Sequence, residues 1–206
     1  MYIAIAGNIG SGKTTLASLL AKHFGWQILY DRVEENPYLH DFYVDMQRWS
    51  FNLQMFFLKK RVQQILDIRQ SSKNVIQDRT LYEDVHIFAP NLHAMDLLSD
   101  RDLDTYISLF NLMEPVISPP DLIIYLKASV HTLVKQIESR DRGFEQSINI
   151  DYLKRLNERY NAWASSYNKG KILTIEVDEV PFHQDEEALG KVVERVNAQL
   201  FGLFDQ

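Results

Sequence analysis

The sequence predicts an α/β fold, a five-stranded parallel sheet with helices on both faces. Three observations predict it. Short runs rich in β-branched and aromatic residues alternate with longer stretches of helical period, as strand–helix–strand crossovers require. A glycine-rich motif, Gly7-Asn8-Ile9-Gly10-Ser11-Gly12-Lys13-Thr14, joins the first apolar run to the first helical stretch. The 206 residues, 46% of them apolar, suffice for one sizeable core, and no linker, repeat or low-complexity tract marks off a second. One domain over residues 1–206 is expected.

Residues 2–6 read Tyr-Ile-Ala-Ile-Ala, an unbroken apolar run of the kind that a strand buried on both faces shows. The glycine-rich loop then opens a helix over 13–23. A second strand is expected at 27–30, and a helix-period pattern over 41–70 predicts one long helix. A third strand follows at 74–77 and a short helix at 81–88. The helix predicted over 101–116 is separated from a fourth strand, 122–127, by Pro119-Pro120, which cannot continue a helix. Helices over 130–139 and 151–167, a fifth strand at 172–177 and a last helix over 184–203 complete the pattern.

Composition narrows the function. A net charge of −6 without a long Lys/Arg run argues against duplex nucleic acid or an anionic membrane surface as partner, and favours a small molecule. The absence of cysteine excludes disulfides, thiolate metal sites and thiol nucleophiles. The six histidines show no zinc-type spacing. The chain opens on a strand with no leader-like or long apolar segment ahead of it, so a cytoplasmic protein is expected.

The glycine-rich motif matches the Walker A pattern in its required strand-to-helix setting. Glycines let the backbone N–H groups and the helix N-terminus face phosphate oxygens, Lys13 adds a point charge, and the Thr14 hydroxyl can ligate Mg²⁺. Residues 7–14 with Thr15 are thus the candidate ATP site. No guanine-reading Asn-Lys-x-Asp sequence is present, and several polar residues fall where an acceptor would bind, which favours a kinase over a GTPase switch. Tyr43, Gln54 and Arg61 are eleven and seven residues apart, near three and two turns, which puts them on one face of the predicted long helix. The amide of Gln54 offers a donor and an acceptor side by side, as a nucleobase edge requires. Asp78-Arg79 ends the third strand, on the sheet edge where ligands bind in open α/β folds.

Together the Walker A loop, Val33-Glu34-Glu35-Asn36-Pro37-Tyr38, Trp49-Ser50-Phe51-Asn52-Leu53-Gln54, Asp78-Arg79-Thr80 and Arg140-Asp141-Arg142 with Glu145 resemble the deoxyribonucleoside kinase family in its bacterial form. That group includes deoxycytidine, deoxyguanosine, deoxyadenosine and mitochondrial-type thymidine kinases. The resemblance implies a three-layer fold of P-loop type with strand order 2-3-1-4-5, and transfer from ATP to a deoxyribonucleoside 5′-hydroxyl. It assigns the base to Gln54, Arg61 and Asp84 with Phe88 packed on it, and the sugar 3′-hydroxyl to Tyr43 and Glu145. It gives Asp78 the Mg²⁺ water shell, Arg79 the reacting oxygen, and Arg140 and Arg142 a phosphate-clamping lid at about 140–147. Retention of both Arg61 and Asp84 favours deoxyadenosine, deoxyguanosine or deoxycytidine over thymidine.

The family's second strand generally ends in Glu-Pro-Val, where this chain has Asp31-Arg32-Val33. Asp31 is the expected general base by position, but it is shorter by one carbon–carbon bond, about 1.5 Å; Glu34 and Glu35 are the alternatives. Resemblance further implies a homodimer joined through helices, and inhibition by deoxynucleoside triphosphates is to be tested. A thymidylate kinase-type monophosphate kinase and a non-catalytic nucleotide-binding subunit are the rival readings.

Overall fold

The computed structural model describes residues 1–140, 148–183 and 185–202. Five strands, β1 Tyr2–Gly7, β2 Gln27–Leu29, β3 Val75–Asp78, β4 Leu122–Lys127 and β5 Lys171–Glu176, form one parallel sheet in the order β2-β3-β1-β4-β5. This is the order that the resemblance implies. The helices are α1 Lys13–Phe24, α2 Leu39–Val44, α3 Met46–Gln70, α4 Leu81–Glu83, α5 Ala89–His93, α6 Asp100–Met113, α7 Val130–Arg140, α8 Ile150–Ser166 and α9 Glu186–Phe201. Among the described residues no helix is long and apolar enough to cross a membrane.

Side chains alternate across the pleat, so each central strand feeds two cores. Ile3 and Ile5 of β1 and Leu122, Ile124 and Leu126 of β4 face a core closed by α1, α7 and α9. Ala6, Ile123 and Tyr125 face the other, closed by α3, α4 to α6 and α8. Gln77 sits fully buried in β3, where Tyr2 Oη donates to it and its amide donates to Gln64 Oε1 at 2.9 Å.

The structure departs from expectation at two helices. The stretch predicted as one helix over 41–70 is two, because Asp45 leaves helical geometry (φ −141°, ψ 85°) and its carboxylate accepts from Arg48 N–H at 3.0 Å, capping α3. Tyr43 therefore lies on α2, and its helical phase with Gln54 and Arg61 does not exist. The short helix predicted at 81–88 is α4 followed by a wide turn over Asp84–Phe88, closed by Ala89 N–H donating to the Asp84 carbonyl, and it runs on into α5.

Candidate active site

The loop from β1 to α1 has the shape a phosphate requires. Gly10 and Gly12 take φ of 85° and 90°, and a Cβ on Gly10 would lie 2.7 Å from the Leu133 carbonyl. Asn8 is buried and pins the loop to α8: its Nδ2 donates to the Leu153 carbonyl at 3.1 Å, while its Oδ1 accepts from Ile9 N–H at 2.8 Å. Ser11 is fully buried. Lys13 Nζ donates to the Asn8 carbonyl at 2.9 Å; burial, reinforced by Arg79, pulls its pKa down to about 7. Thr15 is exposed and does not line the cavity described below.

Thr14 Oγ1 donates to Asp78 Oδ2 at 2.5 Å, and Asp78 Oδ1 is buried without a hydrogen-bond partner. Burial raises the Asp78 pKa against the attraction of Lys13. A hydroxyl and a carboxylate with a spare oxygen beside a phosphate loop fit Mg²⁺, a hard cation that prefers oxygen.

One cavity on the carboxyl edge of the sheet joins this loop to the residues singled out for the acceptor. Lys13 and Thr14 line it together with Tyr43, Gln54, Arg61, Asp84 and Phe88, and with Asp31, Asp78 and Arg79. Gln54 is buried with Oε1 unpartnered. Arg61, wholly buried in α3, donates from Nε to Asp84 Oδ2 at 3.0 Å. Its Nη2 lies 3.0 Å from Asp31 Oδ1, close enough for an ion pair but off the line of a good hydrogen bond. Burial outweighs the attraction of Arg61 at Asp84 and lifts its pKa to about 6.

Arg79 holds the middle. Its backbone takes φ 72°, a conformation uncommon for a side chain of this size. Nε donates to Asp31 Oδ2 at 2.9 Å, Nη1 donates to Tyr160 Oη at 2.9 Å, and the guanidinium lies over the Phe88 ring at 4.7 Å from its centroid. Phe88 thus stacks on a cation as well as lining the cavity. Burial by itself would raise the pKa of Asp31, but Arg61 and Arg79 outweigh it and hold the carboxyl below its ordinary value. Glu34 and Glu35 are exposed, and Glu35 pairs with Lys60 at 2.9 Å and Arg32 at 3.2 Å. Neither lines the cavity. Arg140 ends α7 and lines the cavity; Arg142 and Glu145, with residues 141–147, lie outside the described residues.

Several cavity residues went unread in the sequence. Phe42, Phe57 and Tyr152 supply apolar wall, and nothing in their local pattern separates them from ordinary core. Glu83 and Tyr160 stand behind Arg79. For Glu83 a signal existed: Thr80-Leu81-Tyr82-Glu83 has capping-box spacing, and both reciprocal bonds form.

A phosphate loop, a Thr–carboxylate pair for a cation and a second polar pocket facing it across a strand-end arginine define a nucleotide-dependent phosphotransferase of the P-loop class. The deoxynucleoside kinase family profile matches residues 3–201, and the chain belongs to that family. It is 36% identical over 197 residues to a deoxyadenosine/deoxycytidine kinase of Bacillus subtilis (94% of this chain, 90% of the relative). It is 37% identical over 185 residues to a deoxyguanosine kinase of the same organism (88% of each). A solved deoxyadenosine kinase from M. mycoides, with the products dCMP and a flexible dCDP bound, superposes with a TM-score of 0.85 at 29% identity, covering 96% of this chain and all of the other.

Proposed function

We propose that this chain transfers the γ-phosphoryl group of ATP to the 5′-hydroxyl of a deoxyribonucleoside, giving the 5′-monophosphate and ADP for nucleotide salvage. The observation that carries this reading is the single cavity lined both by the phosphate loop and by Gln54, Arg61 and Asp84, together with Asp31 and Arg79. The relatives named above act on deoxyadenosine, deoxycytidine or deoxyguanosine, which supports these acceptors over thymidine.

Asp31 accepts the proton of the 5′-hydroxyl as the oxygen attacks phosphorus; its two guanidinium partners keep it ionised and ready. Arg79 steadies the charge that develops on the reacting oxygens, and Lys13 contacts the phosphates. Arg140 and Arg142 clamp the transferring group from a lid at about 140–147. The Thr14 hydroxyl and, through water, the Asp78 carboxylate would hold Mg²⁺, which would supply positive charge to the phosphate oxygens. Gln54, Arg61 and Asp84 read the base with Phe88 packed against it, while Tyr43 and Glu145 hold the 3′-hydroxyl.

The reading extends to a cytoplasmic homodimer, with Leu112 (79% exposed) and Val116 (52% exposed) as candidate contacts beyond the core. Inhibition by deoxynucleoside triphosphates belongs to it too; the M. mycoides enzyme has been solved with dATP and with dCTP bound. The test is phosphate transfer from Mg-ATP to each deoxynucleoside, with the monophosphates and ribonucleosides alongside. Turnover of deoxyadenosine, deoxyguanosine or deoxycytidine is expected. Turnover of a monophosphate alone would reassign the acceptor, and none at all by ATP-binding protein would make the chain a binding subunit.

A further inference from the structure

The transfer chemistry above gives no task to Glu83, a fully buried carboxylate. Its Oε1 accepts from Gly7 N–H at 3.1 Å and from Tyr160 O–H at 2.8 Å, with Arg79 Nη1 at 3.5 Å. Its Oε2 accepts from Thr80 N–H at 2.6 Å. A capping box needs only the exchange between Thr80 and Glu83. The remaining bonds reach two other parts of the site: Gly7 is where β1 enters the phosphate loop, and Tyr160 on α8 is the residue whose hydroxyl accepts from Arg79. Tyr160 is itself fixed, stacked on Tyr125 with centroids 6.0 Å apart and planes 5° from parallel.

We propose that Glu83 and Tyr160 are positioning residues that hold the Arg79 guanidinium in register with the phosphate loop, so that the donor and acceptor halves of the site meet in one geometry. This rests on the kinase reading of Arg79. Neither residue lines the cavity, so their loss leaves each ligand's own contacts in place and moves the reacting groups relative to one another. A displacement of that kind, about 1 Å, costs about 10²-fold in rate.

The experiment measures kcat, nucleoside and ATP KM, and melting temperature for Tyr160→Phe and Glu83→Gln. Tyr125→Phe is the control, since it loses a hydrogen bond to Asn161 Oδ1 of 2.9 Å without touching Arg79. Tyr160→Phe is expected to lower kcat about 10- to 100-fold with both KM values within about threefold of the parent. Combined with Arg79→Lys it is expected to cost little more than Arg79→Lys alone, because both changes break one unit. Unchanged kcat in an active enzyme, or losses that merely follow the melting temperature as in Tyr125→Phe, would overturn the proposal and leave the family activity standing. A parent protein that phosphorylates no deoxynucleoside would overturn both. Should Glu83→Gln fail to fold, Tyr160→Phe decides.

Discussion

Asp31 meets Arg61 at 3.0 Å and Arg79 at 2.9 Å, so a side chain one methylene shorter than the family's usual glutamate still reaches both guanidinium groups. Asp31→Asn is expected to lower kcat by about 10² or more, on the scale of general base catalysis. Glu34→Gln, at an exposed position off the cavity, is expected to leave it near the parent value; steady-state kinetics of the two variants reverses the assignment if the losses are exchanged. At Asp84, protonation near pH 6 would remove the negative charge that the proposed function gives the task of receiving a base amino group. Nucleoside KM should therefore rise as pH falls through about 6. Stability runs the other way: the folded pKa lies above the unfolded value of about 3.9, so the contribution is full below pH 4 and is lost as pH rises through about 6. Asp84→Asn should flatten both profiles, measured by pH-dependent kinetics and thermal melts. Local motifs made Asp78, Arg79 and the phosphate loop legible. The backing of Arg79 by Tyr160 was not, because that contact joins β3 to α8 across the fold and no spacing encodes it.

At the scale of elements, β1 and the first five residues of β4 were legible because they are buried on both faces and are therefore apolar without interruption, whereas β2 and β5 are partly exposed and were marked by their place between helical stretches. The break at Asp45 was not. Apolar residues continue at helical spacing through it, and only the cap of Asp45 on Arg48 N–H ends one helix and starts the next. Asp45→Ala is expected to cost about 1 kcal/mol in chemical denaturation, the usual worth of an N-cap. It should also raise nucleoside KM, because α2 then loses the fixed angle that carries Tyr43 and Phe42 to the cavity that α3 also lines. The wide turn over Asp84–Phe88 was equally unreadable: its five residues suit an ordinary helix, and what widens it is the backbone bond from Ala89 to Asp84. In the phosphate loop, by contrast, sequence and geometry agree at Gly10. Gly10→Ala combines a positive φ with a Cβ 2.9 Å from Ile137 Cγ1, and should abolish ATP binding in a titration while lowering the melting temperature.

For the whole molecule, the alternation of strands and helices made the α/β class legible, whereas the strand order came from family likeness, since a parallel sheet can be wound in several orders from one element list. Leu112 on α6 is largely exposed and Val116 just beyond it is half-exposed. Sedimentation velocity is expected to give a dimer, and Leu112→Glu with Val116→Lys a monomer; a parent that sediments as a monomer removes the dimer from the reading. The winding of the sheet also sets a timetable for synthesis. β1 is its middle strand, and its two neighbours are β3, beginning at Val75, and β4, beginning at Leu122. The first strand to leave the ribosome therefore has no partner until β3 follows, and keeps one edge bare until β4, beyond the midpoint of the chain, has followed. A nascent chain halted short of β4 presents an open apolar edge to whatever chaperone or neighbouring chain it meets.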